Sequence, residues 1–120
     1  MVSWNNLDTL SSYKELADVK PACLTEVMSG DNGAERVKNY SVPMAAGLSY
    51  NYASKQVDEN VLAALEKLAD EAQLADKFKA LYNGEVVNTG EKRLVLHHMT
   101  RGQLGDAVEA DGVDKRTFYK

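Results

Sequence analysis

Two adjacent histidines and an arginine are the side chains of this sequence best suited to chemistry. Arg93 precedes His97 by four residues, so on a helix they would share a face and could hold an anionic ligand or an acidic group. We favour a simpler interpretation, in which His97 is hydrogen-bonded and Arg93 anchors neighbouring loops. His97 and His98 would diverge on a helix and could not bind one metal as an i, i+4 pair can. Without a third histidine or nearby cysteine, no metal site is predicted.

Other reactive side chains lack a catalytic setting. Cys23 is the single cysteine and is expected to be a small core residue on an apolar helical face. Three serines occur outside any nucleophile-elbow context: Ser11, Ser12 and Ser41. Two acidic pairs are interpreted as solvated helix faces, since adjacent helical residues diverge: Asp58/Glu59 and Asp70/Glu71. The sequence therefore predicts no catalytic residue, no cofactor and no metal within this chain.

The composition is that of an ordinary folded domain. With 120 residues, 44% hydrophobic and 27% charged, the chain can bury a core. Its net charge of −4 argues against nucleic acid or an anionic membrane as partner, because such partners select a basic face. No secretory signal begins the chain, and no apolar run approaches the roughly 20 residues that span a bilayer. We expect a cytoplasmic protein, with residues 1–120 as one N-terminal helical domain or fragment.

The hydrophobic pattern predicts a mainly α fold with about five helices and one short β-hairpin. A helix is expected over residues 4–19, although capping-box spacing leaves a break near Ser11 open. A second helix is expected over 22–28, after Pro21. Residues 29–33 are expected to form a plain loop, followed by a short helical turn at 34–38. Period-two alternation around Pro43 predicts the hairpin over 40–52. Its tyrosines could stack on bases or sugars, but we favour packing against the fold.

The clearest helical signal runs from Asp58 to Gly84. Asp58 is expected to cap the first helix, and leucines and alanines at helical spacing fill one face. A second helical segment begins near Leu74. Gly84 is expected to end that segment in the left-handed conformation.

The segment after Asn88 is compatible with either helix or strand. Thr89 as N-cap, Glu91 in the first turn and Gly102 as stop favour a helix, whereas alternation leaves a strand over 92–98 open. A turn-rich extended connection is expected over 103–112, and a helix is expected from Asp114. Because so short a helix is unstable alone, we expect the chain to be a truncated piece of a longer protein.

Several blocks of this sequence resemble the N-terminal region of the glucose-6-phosphate isomerase family. That family has a "D-Y-S-K" strand end, an "F-N-G-E" turn and an "N-x-T-E-x-R-x-V-L-H" element, in that order. The matching positions here are Ser54, Lys55, residues 83–85, Asn88, Glu91, Arg93 and residues 95–97. The Thr-Gly-Glu step at 89–91 departs from the commoner threonine–glutamate step and is similar to bacterial members. The resemblance covers about residues 40–104, and residues 1–39 only loosely.

The resemblance implies an aldose–ketose isomerase that interconverts glucose 6-phosphate and fructose 6-phosphate in glycolysis and gluconeogenesis. A glutamate base would transfer the proton through a cis-enediol without metal or organic cofactor. It also implies a larger α/β sugar-isomerase (SIS) architecture and a homodimer. The family's phosphate loop, catalytic glutamate, ring-opening histidine and C-terminal lysine have no counterpart in residues 1–120. The matching residues Asn88, Glu91, Arg93 and His97 are therefore expected to have a framework role.

Two hypotheses follow. In the first, this chain is an inactive N-terminal fragment of the isomerase, whose partners are the remainder of the isomerase chain and, in the full-length enzyme, the sugar phosphate. In the second, it is a stand-alone helical protein-interaction domain without catalysis. The first hypothesis also predicts an exposed apolar face where the missing domains pack.

Overall fold

The computed structural model describes residues 1–101 and 106–118. They belong to two compact units: a central unit of residues 11–68, and a terminal unit of residues 1–10 and 69–120. The α-helices of the described part are α1 Ser11–Asp18, α2 Leu24–Val27, α3 Gly30–Asn39, α4 Glu59–Glu71, α5 Leu74–Tyr82 and α6 Lys115–Phe118. Its strands form three antiparallel pairs: β1 Ser41–Pro43 with β2 Ser49–Asn51, β3 Val86–Asn88 with β4 Arg93–Leu94, and β5 Glu109–Ala110 with β6 Val113–Asp114. The prediction of a mainly helical fold is confirmed, with more hairpins than expected.

The first helical segment is interrupted. A 3₁₀ helix covers Leu7–Thr9, and Leu10 is extended (φ −81°, ψ 145°), a conformation that ends a helix. The continuous helix predicted over 4–19 is therefore wrong, and the alternative break near Ser11 is confirmed. The helix predicted over 22–28 is present but shorter, as α2.

Helix α3 replaces a predicted loop. Residues 29–33 were expected to be a turn cluster, but α3 begins at Gly30 and includes most of them. A Cβ on Gly33 would overlap the carbonyl of Met28, so this glycine permits close packing of the backbone. The glycines that suggested a loop are thus compatible with a packed helix.

The predicted hairpin over 40–52 is confirmed. Val42 pairs with Tyr50, and Pro43 pairs with Ser49. The Asn51 side chain donates a hydrogen bond to the carbonyl of Val37, at 2.6 Å. The hairpin is therefore joined to α3 within the central unit, which supports a two-stranded sheet that would be marginal alone.

The signals predicted between Asp58 and Gly84 are confirmed. Asp58 Oδ1 accepts the backbone N–H groups of Asn60 and Val61 at 3.0 and 2.9 Å, as an N-cap does. Gln73, in the left-handed region, separates α4 from α5. Gly84 has φ +75°, and the N–H of Glu85 reaches the carbonyl of Ala80 at 2.9 Å.

The helix predicted from Thr89 to Gly102 is wrong in the part that the structure describes. Residues 86–94 form a hairpin with Val86 opposite Leu94 and Asn88 opposite Arg93, and a 3₁₀ helix follows at His97–Arg101. The strand alternative over 92–98 holds only for Arg93–Leu94. The polar step at 88–91 therefore turns a hairpin and does not cap a helix. Gly102 and residues 103–105 lie outside the described residues.

A third hairpin replaces part of the predicted connection over 103–112. Glu109 pairs with Asp114 and Ala110 with Val113, while Asp111 and Gly112 both have positive φ, as a two-residue hairpin turn requires. Residues 109–112 thus contain the extended backbone and the turn that were expected, but they belong to a paired hairpin, so the expectation of a simple connection is wrong there. The prediction that Asp114 caps a helix is confirmed, since its Oδ1 accepts the N–H of Arg116 at 3.1 Å.

Small residues dominate the buried positions. The buried apolar side chains of the described part are Ala22, Ala53, Ala64, Ala72, Ala80, Met99 and Val108. Several larger apolar side chains remain substantially exposed, among them Leu48, Tyr50, Leu74 and Phe78. Within residues 1–101 and 106–118, no helix is long and apolar enough to cross a membrane.

Candidate functional site

Three of the four predicted framework residues meet in one turn. The Glu91 N–H donates to Asn88 Oδ1 at 3.1 Å, and Asn88 Nδ2 donates to Glu91 Oε2 at 3.2 Å. Arg93 Nη1 lies 3.7 Å from the same carboxylate oxygen, but both side chains are largely exposed. An exposed ion pair of this kind contributes little stability. The turn is held chiefly by the two hydrogen bonds of the Asn88 side chain, one to the Glu91 carboxylate and one from the Glu91 N–H.

His97 does not share a helical face with Arg93. Arg93 is in β4, whereas His97 begins the 3₁₀ helix, so the i, i+4 geometry that could have formed an anion site is wrong. His97 is exposed and lines a shallow groove with Leu94, Leu96 and Thr100. The Thr100 hydroxyl donates to the carbonyl of His97 at 2.9 Å. These contacts fix the 3₁₀ turn and bring no acid or base to the imidazole.

The neighbouring His98 makes the closer contacts. Its ring stacks on Tyr82 with centroids 4.9 Å apart, and its Nε2 lies 3.2 Å from the carbonyl oxygen of Tyr82. A carbonyl can only accept, so we assign the ring proton to Nε2. Nδ1 is buried and has no hydrogen-bond partner in the part of the chain that the structure describes. The sequence offered no signal that separated His98 from His97 in this way.

Arg116 contacts the same tyrosine. The residue is 4% exposed, its Nη2 donates to the Tyr82 carbonyl at 2.7 Å, and its Nε donates to the Asp106 carbonyl. The guanidinium carbon lies 4.9 Å from the centroid of the Tyr82 ring, within cation–π range. A side chain from α6 thus satisfies a carbonyl at the end of α5, where the helix dipole also favours a cation.

Gly84 and Val108 complete this group, which we call the Tyr82 cluster: Tyr82, Gly84, His98, Val108 and Arg116. A Cβ on Gly84 would overlap Cγ1 of Val108, so the two residues are in close contact. Val108 is 5% exposed, and its carbonyl accepts the N–H of Lys115 at 2.8 Å. The cluster therefore joins α5, the third hairpin and α6 within the terminal unit.

Asp114 fixes the start of α6 beside this cluster. Its carboxylate accepts hydrogen bonds from the Thr117 hydroxyl at 2.6 Å and from the N–H groups of Arg116 and Val108. The hydrogen bond from Thr117 is the main cause that lowers the pKa of the Asp114 carboxyl below its ordinary 3.8, and the backbone N–H groups add to it. The negative charge is thus held where the helix dipole is positive.

A second buried arginine organises the central unit. Arg36 is 7% exposed and donates to three carbonyls: Ala53 at 2.8 Å, Lys55 at 2.9 Å and Val57 at 2.6 Å. Its guanidinium carbon lies 4.1 Å from the centroid of the Tyr40 ring. Arg36 therefore fixes the loop over 53–57, which leads directly into the Asp58 cap. Nothing in the sequence had marked it.

Tyr40 links this arginine to α4. Its hydroxyl donates to Glu59 Oε1 at 3.1 Å. Burial raises the pKa of the Tyr40 phenol above its ordinary 10.0, and the hydrogen bond and charge of Glu59 raise it further, while Arg36 offsets part of the effect. The phenol is held in its neutral, donating form.

The remaining candidate residues are dispersed. Cys23 is exposed and lies in extended conformation before α2, so its predicted place on a buried helical face is wrong. Within residues 1–101 and 106–118, no three histidine, cysteine or acidic residues are grouped so that they could hold a metal ion. The described arrangement braces loops through buried arginines, and these contacts alone provide no proton-transfer chemistry.

Comparison of the sequence with known proteins identifies a family model and several relatives that this chain matches. The Phosphoglucose isomerase family model matches residues 51–118, a range that contains the whole Tyr82 cluster. The chain is 44% identical to a glucose-6-phosphate isomerase of Treponema denticola across 98% of its own length and 23% of the relative's. A Treponema pallidum relative of the same name is 47% identical over the same shares. One of Borreliella afzelii is 41% identical over 100% of this chain and 22% of its own. The chain thus spans somewhat more than a fifth of the length of these relatives.

Proposed function

This chain belongs to the phosphoglucose isomerase family, and from that membership we propose that it is the N-terminal part of a glucose-6-phosphate isomerase. The complete enzyme would interconvert glucose 6-phosphate and fructose 6-phosphate, with the acid–base and phosphate-binding groups supplied by the remainder of the polypeptide. The observation that carries the proposal is the asymmetry of the match: 98% of this chain aligns with 23% of the Treponema denticola relative.

The part played by this chain is structural. Arg36 satisfies three carbonyls of the loop over 53–57, and Arg116 satisfies carbonyls of two separate segments. This use of arginine suits a rigid scaffold. We assign Asn88, Glu91, Arg93 and His97 to the same framework role, with Asn88 and Glu91 shaping the hairpin turn. The complete enzyme is proposed to be a cytoplasmic homodimer with the α/β sugar-isomerase (SIS) architecture, acting in glycolysis and gluconeogenesis.

A chimeric enzyme tests the proposal. The aligned segment of the Treponema denticola isomerase is replaced by this chain, and conversion of fructose 6-phosphate is followed with a coupling dehydrogenase specific for glucose 6-phosphate. We expect turnover within about tenfold of that of the parent enzyme, because the catalytic groups are supplied by the unchanged remainder. A tenfold loss corresponds to about 1.4 kcal/mol in the activation barrier. The 120-residue chain alone is expected to give no turnover above the blank.

The matched control is the same graft made with the Borreliella afzelii segment, which is 41% identical to this chain. An active control beside an inactive but folded chimera of this chain would contradict the proposal. Turnover by the 120-residue chain alone would also contradict it, because the acid and base would then lie within these residues. If the chain is instead a stand-alone interaction domain, the control graft should be active and the folded chimera of this chain inactive.

A further inference from the structure

An apolar groove lies in the central unit, with walls from the first hairpin, the loop over 53–57 and α4. Its volume is about 490 Å³. The residues that line this hairpin–helix groove are Val42, Tyr50, Tyr52, Lys55, Val57, Leu62 and Leu65. Six of the seven present mainly apolar surface, and Lys55 is the one that carries a charge.

Much of this apolar surface is open to solvent. Val42 is 44% exposed, Tyr50 49% and Leu65 40%. Val42 and Tyr50 are directly opposite in the hairpin register, so together they form a continuous wall. A cluster of exposed apolar side chains around a concavity is typical of an interaction surface, whereas single exposed residues are not.

The segments that line the groove are held in place by hydrogen bonds. Arg36 donates hydrogen bonds to the carbonyls of Lys55 and Val57, in the loop that lines the groove. The Asp58 cap fixes the start of α4. The hairpin wall is tied to α3 by Asn51. A preformed groove needs little ordering when it binds, and this favours association with a rigid apolar segment.

The size of the groove favours a covalently tethered occupant over a second copy of the chain. A stable dimer uses roughly 20 to 30 residues on each side, and the groove offers seven. A segment of the same polypeptide needs far less contact area, because tethering gives it an effective concentration in the millimolar range. The relatives show where such a segment would come from, since this chain corresponds to 23% of the Treponema denticola isomerase.

We propose that the hairpin–helix groove is covered, in the complete protein, by an apolar segment from the remaining roughly four-fifths of the family's polypeptide. Lys55 is exposed in this structure, and a segment that covered its ammonium would have to offer it an acidic side chain, since a buried ammonium needs a partner. The inference rests on the proposed function, because the occupant is the remainder of the isomerase chain.

Thiol accessibility tests the groove directly. Leu65→Cys and Tyr50→Cys, each combined with Cys23→Ser, are compared in the 120-residue chain and in the Treponema denticola chimera, and maleimide labelling is quantified on the modified peptide. Both groove thiols are expected to react about tenfold more slowly in the chimera, because a covered thiol reacts only after local opening. Val37→Cys is the matched control, since Val37 is 48% exposed in the same unit and does not line the groove. It should react equally in both proteins.

Equal labelling of the groove thiols in both proteins would overturn the inference. Protection in the 120-residue chain that increases with its concentration would also overturn it, because a second copy would then be the occupant. Isomerase turnover of the chimera is measured on the same preparations. An active chimera with an unprotected groove refutes only this inference, and an inactive chimera with a protected groove refutes only the proposed function.

Lys55→Gln in the chimera should speed labelling at Leu65→Cys if the occupant is acidic at that point, and unchanged labelling would remove the acidic side chain from the proposal.

Discussion

The Nη2 atom of Arg116 donates a hydrogen bond to the carbonyl oxygen of Tyr82 at 2.7 Å. Tyr82 is the last residue of α5, and its carbonyl is one of those that a helix leaves without an internal partner. His98 Nε2 lies 3.2 Å from the same oxygen. The end of α5 is therefore completed by side chains that are 16 and 34 positions away in sequence, so α5 ends by a tertiary interaction as well as by Gly84.

Replacing Arg116 with methionine should destabilise the terminal unit. The change leaves the Asp106 carbonyl without this donor and weakens the satisfaction of Tyr82, with an expected loss of about 2 kcal/mol in the free energy of unfolding. Urea unfolding followed by the fluorescence of Trp4, which lies in the same unit, measures it. Arg93→Met removes an exposed arginine and should cost less than about 0.5 kcal/mol. Equal losses for the two variants would show that burial of Arg116 has no energetic role.

Gly84→Ala should destabilise more than Gly112→Ala. Both glycines have positive φ, at +75° and +73°, so each substitution carries a similar backbone cost of about 1 kcal/mol. Only the Cβ at position 84 meets a neighbour, Val108, whereas nothing lies within 4 Å of a Cβ at position 112. We expect the difference, about 1–3 kcal/mol, to measure overpacking alone.

A double-mutant cycle separates the two contributions at Gly84. Val108→Ala removes Cγ1 and should recover part of the cost of Gly84→Ala, giving a coupling energy of about 0.5 kcal/mol or more. If the losses in free energy of unfolding are additive for the two substitutions, the contact between Gly84 and Val108 does not cause the cost of a side chain at position 84.

Local signals in the sequence were sufficient where one residue decides the structure. Asp58 and Asp114 were predicted as caps, and both accept backbone N–H groups at helix starts. Gly84 was predicted as a stop and has the expected positive φ. Such predictions succeed because capping and left-handed turns depend on a side chain and the three or four residues beside it.

Predictions failed where the local structure depends on residues that are distant in sequence. The segment after Asn88 carries signals for both helix and hairpin, and its outcome depends on pairing between Val86 and Leu94. Arg36 and Arg116 gave no signal, because the carbonyls they satisfy are 10 to 34 positions away. Family resemblance matched Asn88 and Glu91 to one element of the family, but the hairpin turn that they form and its hydrogen bonds are visible only in the fold.

Stability should fall in acid through Asp114. Its folded pKa is lowered below the ordinary 3.8, so its contribution is fully present above the unfolded value. The contribution is lost as the pH falls through the lower folded value, because both states then bind the proton. Asp114→Asn should abolish this part of the pH dependence, and urea unfolding measured stepwise from about pH 5 to pH 2 checks it.

The control for this experiment is Asp111→Asn, in the same hairpin. The Asp111 side chain is 93% exposed, so the variant removes the same charge and leaves intact the carboxylate that accepts the N–H groups of Val108 and Arg116. If Asp114→Asn and the original chain lose stability in parallel between about pH 4 and pH 2, the hydrogen bonds to Asp114 do not lower its pKa enough to affect folding.

Arg36→Met should loosen the loop over 53–57 and the segments bonded to it. Three carbonyls lose their donor, and the Ala22 amide, which donates to the Gln56 carbonyl at 3.2 Å, reports on the loop from outside it. We expect hydrogen exchange at Ala22 to accelerate by roughly tenfold or more, the factor produced by about 1.4 kcal/mol of lost local stability. Lys38→Met, on the exposed side of the same helix, should leave that rate unchanged. Arg36→Lys should behave like Arg36→Met, because one ammonium lacks the planar fork that reaches three carbonyls. Slow exchange at Ala22 in all three variants would mean that the hairpin and α4 fix the loop without the arginine.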